Sequence, residues 1–329
     1  MSSERVVIRA PGGPEVLEVT SADVPDPGPG EVRIEHTAIG LNYVDTYHRS
    51  GLYPLPSYPH GIGVEAAGVI VALGKGVTGF ERGQRVAYAT GAPPGAYASE
   101  RVLRAEALVP IPDGVSDEAA AAVLLKGMTV EYLVQRTYAV KPGETVLFHA
   151  AAGGVGLLAC QWLHQLGARV IGTVGSREKA ELARANGCAE TIIHTEVSDI
   201  SARVRELTGG AGVPVVYDSV GRSTFQSSLR CLRPRGLLVS FGNASGKPDP
   251  IDPLVLQTHG SLYLTRPSLM HYAHERSELL MSAKAVFDRV SQSVLHPLIG
   301  QRFALRDARR AHLALESRQT QGSSILVPE

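Results

Sequence analysis

The run His149-Ala150-Ala151-Ala152-Gly153-Gly154-Val155-Gly156 has the residue types and spacing to hold a pyrophosphate. It reads as Ala151-x-Gly153-x-x-Gly156, a dinucleotide fingerprint with alanine where the first glycine usually stands. Gly153 lets the backbone approach the phosphates, and Gly156 lets a helix pack closely on the preceding strand. The start of that helix offers unpaired N–H groups and the positive end of its dipole. Roughly 20 residues further on, an NAD site usually presents Asp or Glu to the ribose hydroxyls. This chain reads Val174-Gly175-Ser176-Arg177-Glu178-Lys179 there. The strand tip carries no carboxylate, and Ser176, Arg177 and Lys179 are the types that gather round a 2′-phosphate. Glu178 is expected to point elsewhere along its helix. The pattern favours NADPH over NADH.

Other reactive side chains form no comparable pattern. The three cysteines, Cys160, Cys188 and Cys231, are too few and too scattered for a disulfide framework or a cysteine zinc site. Among the eleven histidines, His271 and His274 stand three apart and could share a helix face, but no carboxylate or third histidine completes a ligand motif. The sequence has no G-x-S-x-G elbow, H-E-x-x-H or P-loop, so hydrolase and phosphoryl-transfer chemistry find no support.

The fingerprint needs a strand before it and a helix after it, and both are legible. Thr145–His149 reads as a strand. Val155 to Leu166 reads as a helix with Val155, Leu158, Ala159, Trp162 and Leu166 on one face. Alternation continues with strand Arg169–Val174, helix Glu178–Ala185 stopped by Gly187, a short strand at Thr191–Ile193 and strand Val213–Tyr217. A helix with Phe225, Leu229 and Leu232 on one face then precedes strands Leu237–Phe241 and Ser261–Thr265. Parallel strands need crossovers of this length, so the segment predicts a doubly wound parallel sheet.

Before it the grammar differs. Between Pro25 and Gly95, glycine and proline break up short β-like runs such as Glu31–Glu35, Val69–Ala72 and Arg85–Tyr88, which predicts a compact, partly closed β domain. After about residue 117 an alanine-rich helix leads into the alternating region. The tail after Pro267 reads as helical with a β-like end at Ser324–Val327, and is expected to rejoin the first domain. The expected division is 1–124, 125–266 and 267–329.

Length and charge agree with this outline. The 329 residues suit two domains, and 32 basic against 32 acidic side chains give a formal charge of zero. Neutrality counts against a large electrostatic grip on nucleic acid or anionic membrane. The first ten residues lack a signal-peptide core, and no run of about 18 apolar residues would cross a bilayer. A cytoplasmic location is expected.

Taken together, the chain resembles the zeta-crystallin-like, zinc-free quinone oxidoreductases of the medium-chain dehydrogenase/reductase superfamily. The similar stretches include Leu41–Tyr47, Gly61–Gly68, Leu125–Thr129, Phe148–Gly156, Val216–Gly221, Val239–Asn243, Leu264–Ser268 and Gln321–Ser324, spread over nearly the whole length. The resemblance implies a GroES-like, partly open β barrel as catalytic domain and a Rossmann domain inserted between its halves. It places Asn42, Tyr47 and Thr129 near the nicotinamide and substrate. Gly153, Gly154 and Val155 fall to the pyrophosphate, and Ser176, Lys179 and Arg318 to the adenosine phosphate. Ser219, Phe241, Gly242 and Leu264 are implied to line the nicotinamide. His194 stands where close relatives have tyrosine. A protonated His194 would bond the phosphate more strongly, so cofactor affinity is expected to fall as it loses its proton.

The resemblance also says what is replaced. The catalytic zinc ligands of related alcohol dehydrogenases fall on Asn42, Val64 and Lys126, with Glu65 kept, and that set does not reproduce Cys, His and Cys. Without a Lewis acid to stabilise an alkoxide, the easier task is hydride delivery to an acceptor that spreads charge over a conjugated system. Quinones qualify, and so do enones and alkenals. Such an acceptor needs orientation and a hydrogen bond or two, and the Asn42 amide and Tyr47 phenol are the expected donors. An NADPH:quinone reductase using neither metal nor flavin is the reading. An enone or alkenal double-bond reductase is the alternative on the same scaffold, and a non-catalytic NADPH- or RNA-binding protein is the alternative of another class. Strand Ser261–Thr265 would be an apolar sheet edge, which predicts a homodimer, with a tetramer as the other option.

Overall fold

The computed structural model describes residues 2–329. The chain gathers into two compact units. One runs to Met128 and resumes over Tyr272–Ser293 and Pro297–Glu329, and the other comprises Thr129–His271 with Val294–His296.

The first unit opens with strands β1 (Ser2–Ile8), β2 (Glu18–Asp23) and β3 (Glu31–Leu41), helix α1 (Tyr43–Arg49), and β4 (His60–Gly61). Strands β5 (Glu65–Leu73), β6 (Arg85–Tyr88), β7 (Glu100–Arg104) and β8 (Val109–Pro110) follow, then helix α2 (Asp117–Glu131). β3 is longer than alternation predicts. Val32, Ile34 and His36 point inward in turn, but Ala38–Leu41 are buried on both faces, where the period-2 signal vanishes. β3 pairs antiparallel with β5 and β7 and so organises the larger sheet. The Ser116 hydroxyl accepts from the Ala119 N–H at 3.1 Å and caps α2, whose Ala120–Leu124 are wholly buried. Val6, Ile8, Ile34, Ile39, Tyr88, Tyr97 and Leu108 are among the core residues. Full burial of each such side chain contributes about 1.5–3 kcal/mol.

In the second unit, β9 (Thr145–Phe148), helix α3 (Gly154–Gln165), β10 (Arg169–Val174), α4 (Arg177–Ala185), β11 (Glu190–Ile193), α5 (Ile200–Leu207) and β12 (Val213–Asp218) alternate. Helix α6 (Phe225–Cys231), β13 (Leu232–Ser240), α7 (Leu254–Thr258) and β14 (Tyr263–Thr265) complete it. The sheet order is β11-β10-β9-β12-β13-β14, every pairing parallel, which is the doubly wound Rossmann order. Its core includes Leu147, Ile171, Val204, Val216, Phe225, Leu229 and Leu238.

Three expectations need correction. Leu232 does not continue the face of α6 but opens β13, because the residues after it extend towards the sheet rather than wind on. α3 is not one-sided: Gly156 to Leu163 are all buried, so its apolar stripe is part of a helix enclosed all round. β14 starts at Tyr263 rather than Ser261, whose backbone is left-handed with φ 56° and cannot lie in a strand.

The tail adds helix α8 (Leu269–Tyr272), α9 (Arg276–Ser291), strand β15 (Ile299–Ala304), α10 (Ala308–Glu316) and β16 (Ser323–Val327). β16 pairs antiparallel with β3 and parallel with β15, so the C-terminal strand joins the first unit's larger sheet. Among the described residues no helix is long and apolar enough to cross a membrane.

Candidate functional site

Two sets of functional groups take shape, one in each unit. In the second unit the turn between β9 and α3 carries the fingerprint. Gly153 is the N-cap of α3 with extended backbone, so the first N–H groups of a twelve-residue helix open towards the turn unpaired. A methyl group on Gly156 would sit 2.7 Å from Ala151 Cα, so only glycine lets the helix start this close to the turn. Alanine at position 151 has its own compensation: a side chain on Gly172 of β10 would meet the Ala151 methyl at 2.5 Å, and glycine there leaves it room. Ala150 takes the left-handed backbone (φ 56°) that the turn demands, a conformation that glycine usually supplies.

Beneath the turn lies a buried polar network. His149 Nδ1 is 2.9 Å from Thr173 Oγ1, and Nε2 is 3.0 Å from Ser228 Oγ, whose hydroxyl donates to Asp218 Oδ2 at 2.8 Å. Burial holds His149 below the usual histidine pKa, so it stays neutral and relays hydrogen bonds between β9, β10 and α6. Asp218 also accepts from the Val220 and Gly221 N–H groups, fixing the loop that begins at Ser219. A side chain on Gly242 would meet Ser219 Cα at 2.8 Å, so the loops after β12 and β13 touch. Phe241 packs with its ring tilted against Phe148, centroids 5.8 Å apart, and Leu264 on β14 packs against the core. Thus Ser219, Phe241, Gly242 and Leu264 come from adjacent strands at the same end of the sheet as the fingerprint turn, because parallel strands carry all their C-terminal ends together.

The tip of β10 gathers Ser176 and His194. Ser176 is the N-cap of α4 and accepts from the Lys179 N–H at 3.3 Å, while His194 Nε2 lies over Gly175. Two expectations fail here. Glu178 does not point away: its Oε2 accepts from the Ser176 hydroxyl at 3.0 Å, since a carboxylate in the first helical turn folds back to the nearest free donor. Arg177 does not turn to the tip either. It pairs with Glu196 at 3.0 Å and is largely exposed. His271 and His274 share no helix face, because α8 ends at Tyr272.

In the first unit, β3 ends at Leu41 and Asn42 is the N-cap of α1. The Asn42 N–H donates to Asp45 Oδ2 at 2.8 Å, and its side-chain Nδ2 donates to Glu65 Oε2, also at 2.8 Å. Lys126 Nζ reaches the same Glu65 oxygen at 3.4 Å, and the Leu125 N–H donates to Glu65 Oε1 at 2.7 Å. Glu65 is completely buried, and a side chain on Gly40 would meet its carboxyl carbon at 2.7 Å, so Gly40 makes its chamber. Tyr47 is buried one turn along α1, edge-on to Tyr53 at 5.3 Å. Thr129, buried in α2, is the residue at which the second unit begins. Arg318, exposed just beyond α10, has left-handed backbone (φ 61°) and is among the charges felt by Tyr43.

Behind α1 runs a second buried chain of polar groups. Tyr97 donates its hydroxyl to Asp45 Oδ2 at 2.9 Å and lies 3.1 Å from His312 Nε2. Arg49 Nη1 lies 3.0 Å from His312 Nδ1, and Arg49 forks onto Glu316 at 2.7 and 2.8 Å. Burial pushes Asp45 up to about 7, the bonds from Asn42 and Tyr97 pulling the other way, and leaves its Oδ1 without a partner. His312 is pushed down to about 3, first by burial and then by the Arg49 charge.

Sequence reasoning did not select Asp45, Glu65 and Lys126 as site residues. Signals existed: Asn42-x-x-Asp45 has the spacing of a helix-capping pair, and Glu65 and Lys126 are lone charges in apolar runs. Among the described residues no three or more His, Cys, Asp and Glu side chains are grouped as metal ligands would be. At the zinc-ligand positions that the family resemblance indicates, the side chains are an amide, a valine with no donor atom and an ammonium with no free lone pair, a set that does not fit zinc.

Comparison with known proteins places this architecture. Residues 28–113 match the alcohol dehydrogenase GroES-like domain, and residues 154–280 match the zinc-binding dehydrogenase family. The chain is 52% identical to a quinone oxidoreductase of Pseudomonas aeruginosa, over 99% of this chain and all of that protein. A 2-haloacrylate reductase of Burkholderia is 48% identical, covering 98% of each chain. Among solved structures, Escherichia coli quinone oxidoreductase complexed with NADPH superposes with a TM-score of 0.97 at 48% identity, covering 99% of this chain and 100% of that one.

Proposed function

Since the chain belongs to the quinone oxidoreductase family, a branch of the medium-chain dehydrogenases/reductases with a GroES-like domain, we propose that it is an NADPH:quinone reductase. Full-length identity of about half to proteins of that name carries the reading furthest. The β9–α3 turn supports it independently, since its glycines and open helix start fit a pyrophosphate.

Bound NADPH supplies the hydride. On this reading the turn Gly153-Gly154-Val155 at the start of α3 holds the pyrophosphate, Gly153 by letting the backbone approach it and the first helical N–H groups by bonding it. Ser176, Lys179, His194 and Arg318 hold the adenosine phosphate, for which the Ser176 hydroxyl turns from Glu178. Ser219, Phe241, Gly242 and Leu264 line one side of the nicotinamide and keep water from it. Asn42, Tyr47 and Thr129 orient the acceptor, and neither flavin nor metal takes part. Residues 1–124 and 267–329 form the catalytic domain and 125–266 the cofactor domain. The assembly is a homodimer working in the cytoplasm, bound to neither nucleic acid nor membrane.

Similarity to 2-haloacrylate reductase favours a second reading, reduction of a conjugated carbon–carbon double bond on the same scaffold. Oxidation of NADPH and of NADH by purified protein, against a panel of quinones and enones, separates the readings. Fast NADPH-dependent turnover of quinones with NADH poor is expected. Turnover of enones alone would move the substrate class, and tight NADPH binding with no turnover would overturn catalysis.

A further inference from the structure

The zinc that the family description implies does not fit this chain, and what stands in place of its ligands has chemistry of its own. Lys126 is a buried ammonium with three N–H donors, and the structure gives it one acceptor, Glu65 Oε2 at 3.4 Å. That oxygen is already taken at closer range by the Asn42 amide at 2.8 Å, and the other Glu65 oxygen by the Leu125 N–H. The other carboxyl group within its field, Asp45, is hydrogen-bonded to Asn42 and Tyr97 rather than to Lys126. A buried cation is costly unless its donors are met, so an ammonium with two unmet donors is set to receive a negatively charged oxygen. The Asn42 amide shares its anchoring oxygen with Lys126, so the two nitrogens are neighbours and can converge on one ligand atom.

We propose that Lys126 is a catalytic residue that binds the acceptor oxygen on which negative charge develops, its ammonium held in place by Glu65. This rests on the quinone-reductase reading and deepens it. Hydride, a proton with two electrons, passes from NADPH to the quinone, leaving NADP+ and the hydroquinone monoanion. The monoanion's oxygen lies against Lys126, which keeps its own protons, and one proton from solvent completes the hydroquinone. A fixed positive charge helps here because it meets the oxygen more strongly after hydride arrives than before.

The test uses two variants, Lys126→Met and the double Glu65→Gln/Lys126→Met. The second removes both charges, so Glu65 is not left buried as an unpaired carboxylate. Its NADPH affinity should match wild type, while its melting temperature falls because an amide offers one acceptor oxygen where the carboxylate met both the Asn42 amide and the Leu125 N–H. Both are expected to lose on the order of 100-fold in kcat with quinones. A second readout needs no turnover: 4-nitrophenol titrated by absorbance on the NADP+-loaded protein reports binding of its phenolate against its neutral form. Wild type should favour the phenolate by about tenfold or more over the double variant, the size expected of one opposite charge nearby. A double variant with wild-type kcat would mean that Lys126 only neutralises Glu65, and unchanged phenolate preference would mean that the ammonium does not reach the acceptor oxygen. Either result overturns the proposal while leaving the family reading intact. Wild type inert towards every quinone would instead sink the substrate reading, with the phenolate titration still deciding Lys126.

Discussion

Single side chains here divide into those that orient and those that attract. Tyr47 is buried among Tyr43 and Tyr53, where packing holds its ring whether or not the hydroxyl is present. Tyr47→Phe should therefore lower kcat only several-fold, and a loss of several orders of magnitude would show it to be an essential proton donor. At the tip of β10 the Ser176 hydroxyl is bound to Glu178, so a 2′-phosphate must compete with a carboxylate for it. Glu178→Gln should tighten NADPH binding, while Lys179→Met should weaken it roughly tenfold, the worth of a charge-assisted hydrogen bond, and leave NADH binding unchanged. Calorimetric titration with both nucleotides checks the pair.

At the scale of elements, helix α3 depends on one missing side chain. Gly156→Ala would press a methyl into the backbone of Ala151, and overpacking of that kind costs about 1–3 kcal/mol. The helix start would have to move away from the turn, so NADPH affinity should fall by more than the change in melting temperature suggests. Near-normal binding in this variant would show that the turn yields to the added methyl without losing the pyrophosphate. Helix α1 is fixed from behind by the Asp45–Tyr97–His312–Arg49–Glu316 chain, which orients Asn42 through its own backbone N–H.

For the whole molecule, these buried groups set a pH dependence with two limbs. His36 falls from 6.5 to about 4 and His312 from 6.5 to about 3, both through burial first, so the unfolded chain binds more protons than the folded one in that range. Their contribution is present above pH 6.5 and lost as pH falls towards 3. Asp45 runs the other way: its pKa rises from 3.8 to about 7, so its contribution is present below 3.8 and lost as pH rises through 7. Denaturant titrations from pH 3 to 8 should show a steep acid limb that flattens in His312→Gln, and an unaltered acid limb would contradict the assignment. β14 ends the sheet with Tyr263 62% exposed, an edge that a twofold mate could cover. Light scattering should report a dimer, and Tyr263→Asp should shift it towards monomer.

Local physics made the second unit readable from the chain alone. Strands flanked by helices, a glycine turn with both its contexts and a strand tip without a carboxylate each depend on residues near in sequence, so fold class and the glycine turn between β9 and α3 were legible. Asn42 and Tyr47 entered only through resemblance, because nothing in their immediate neighbours marks them as functional. What the tertiary structure alone decided is who meets whom. Glu178 turning to Ser176, Arg177 pairing with Glu196, and Glu65 drawing Asn42 and Lys126 to a single oxygen depend on side-chain direction and on approaches across 2 to 61 positions. Periodicity reports which face of an element is apolar. It carries no record of which buried charge finds which partner, because that is fixed by the packing of strands β3 and β5 against one another and by the room left at Gly40.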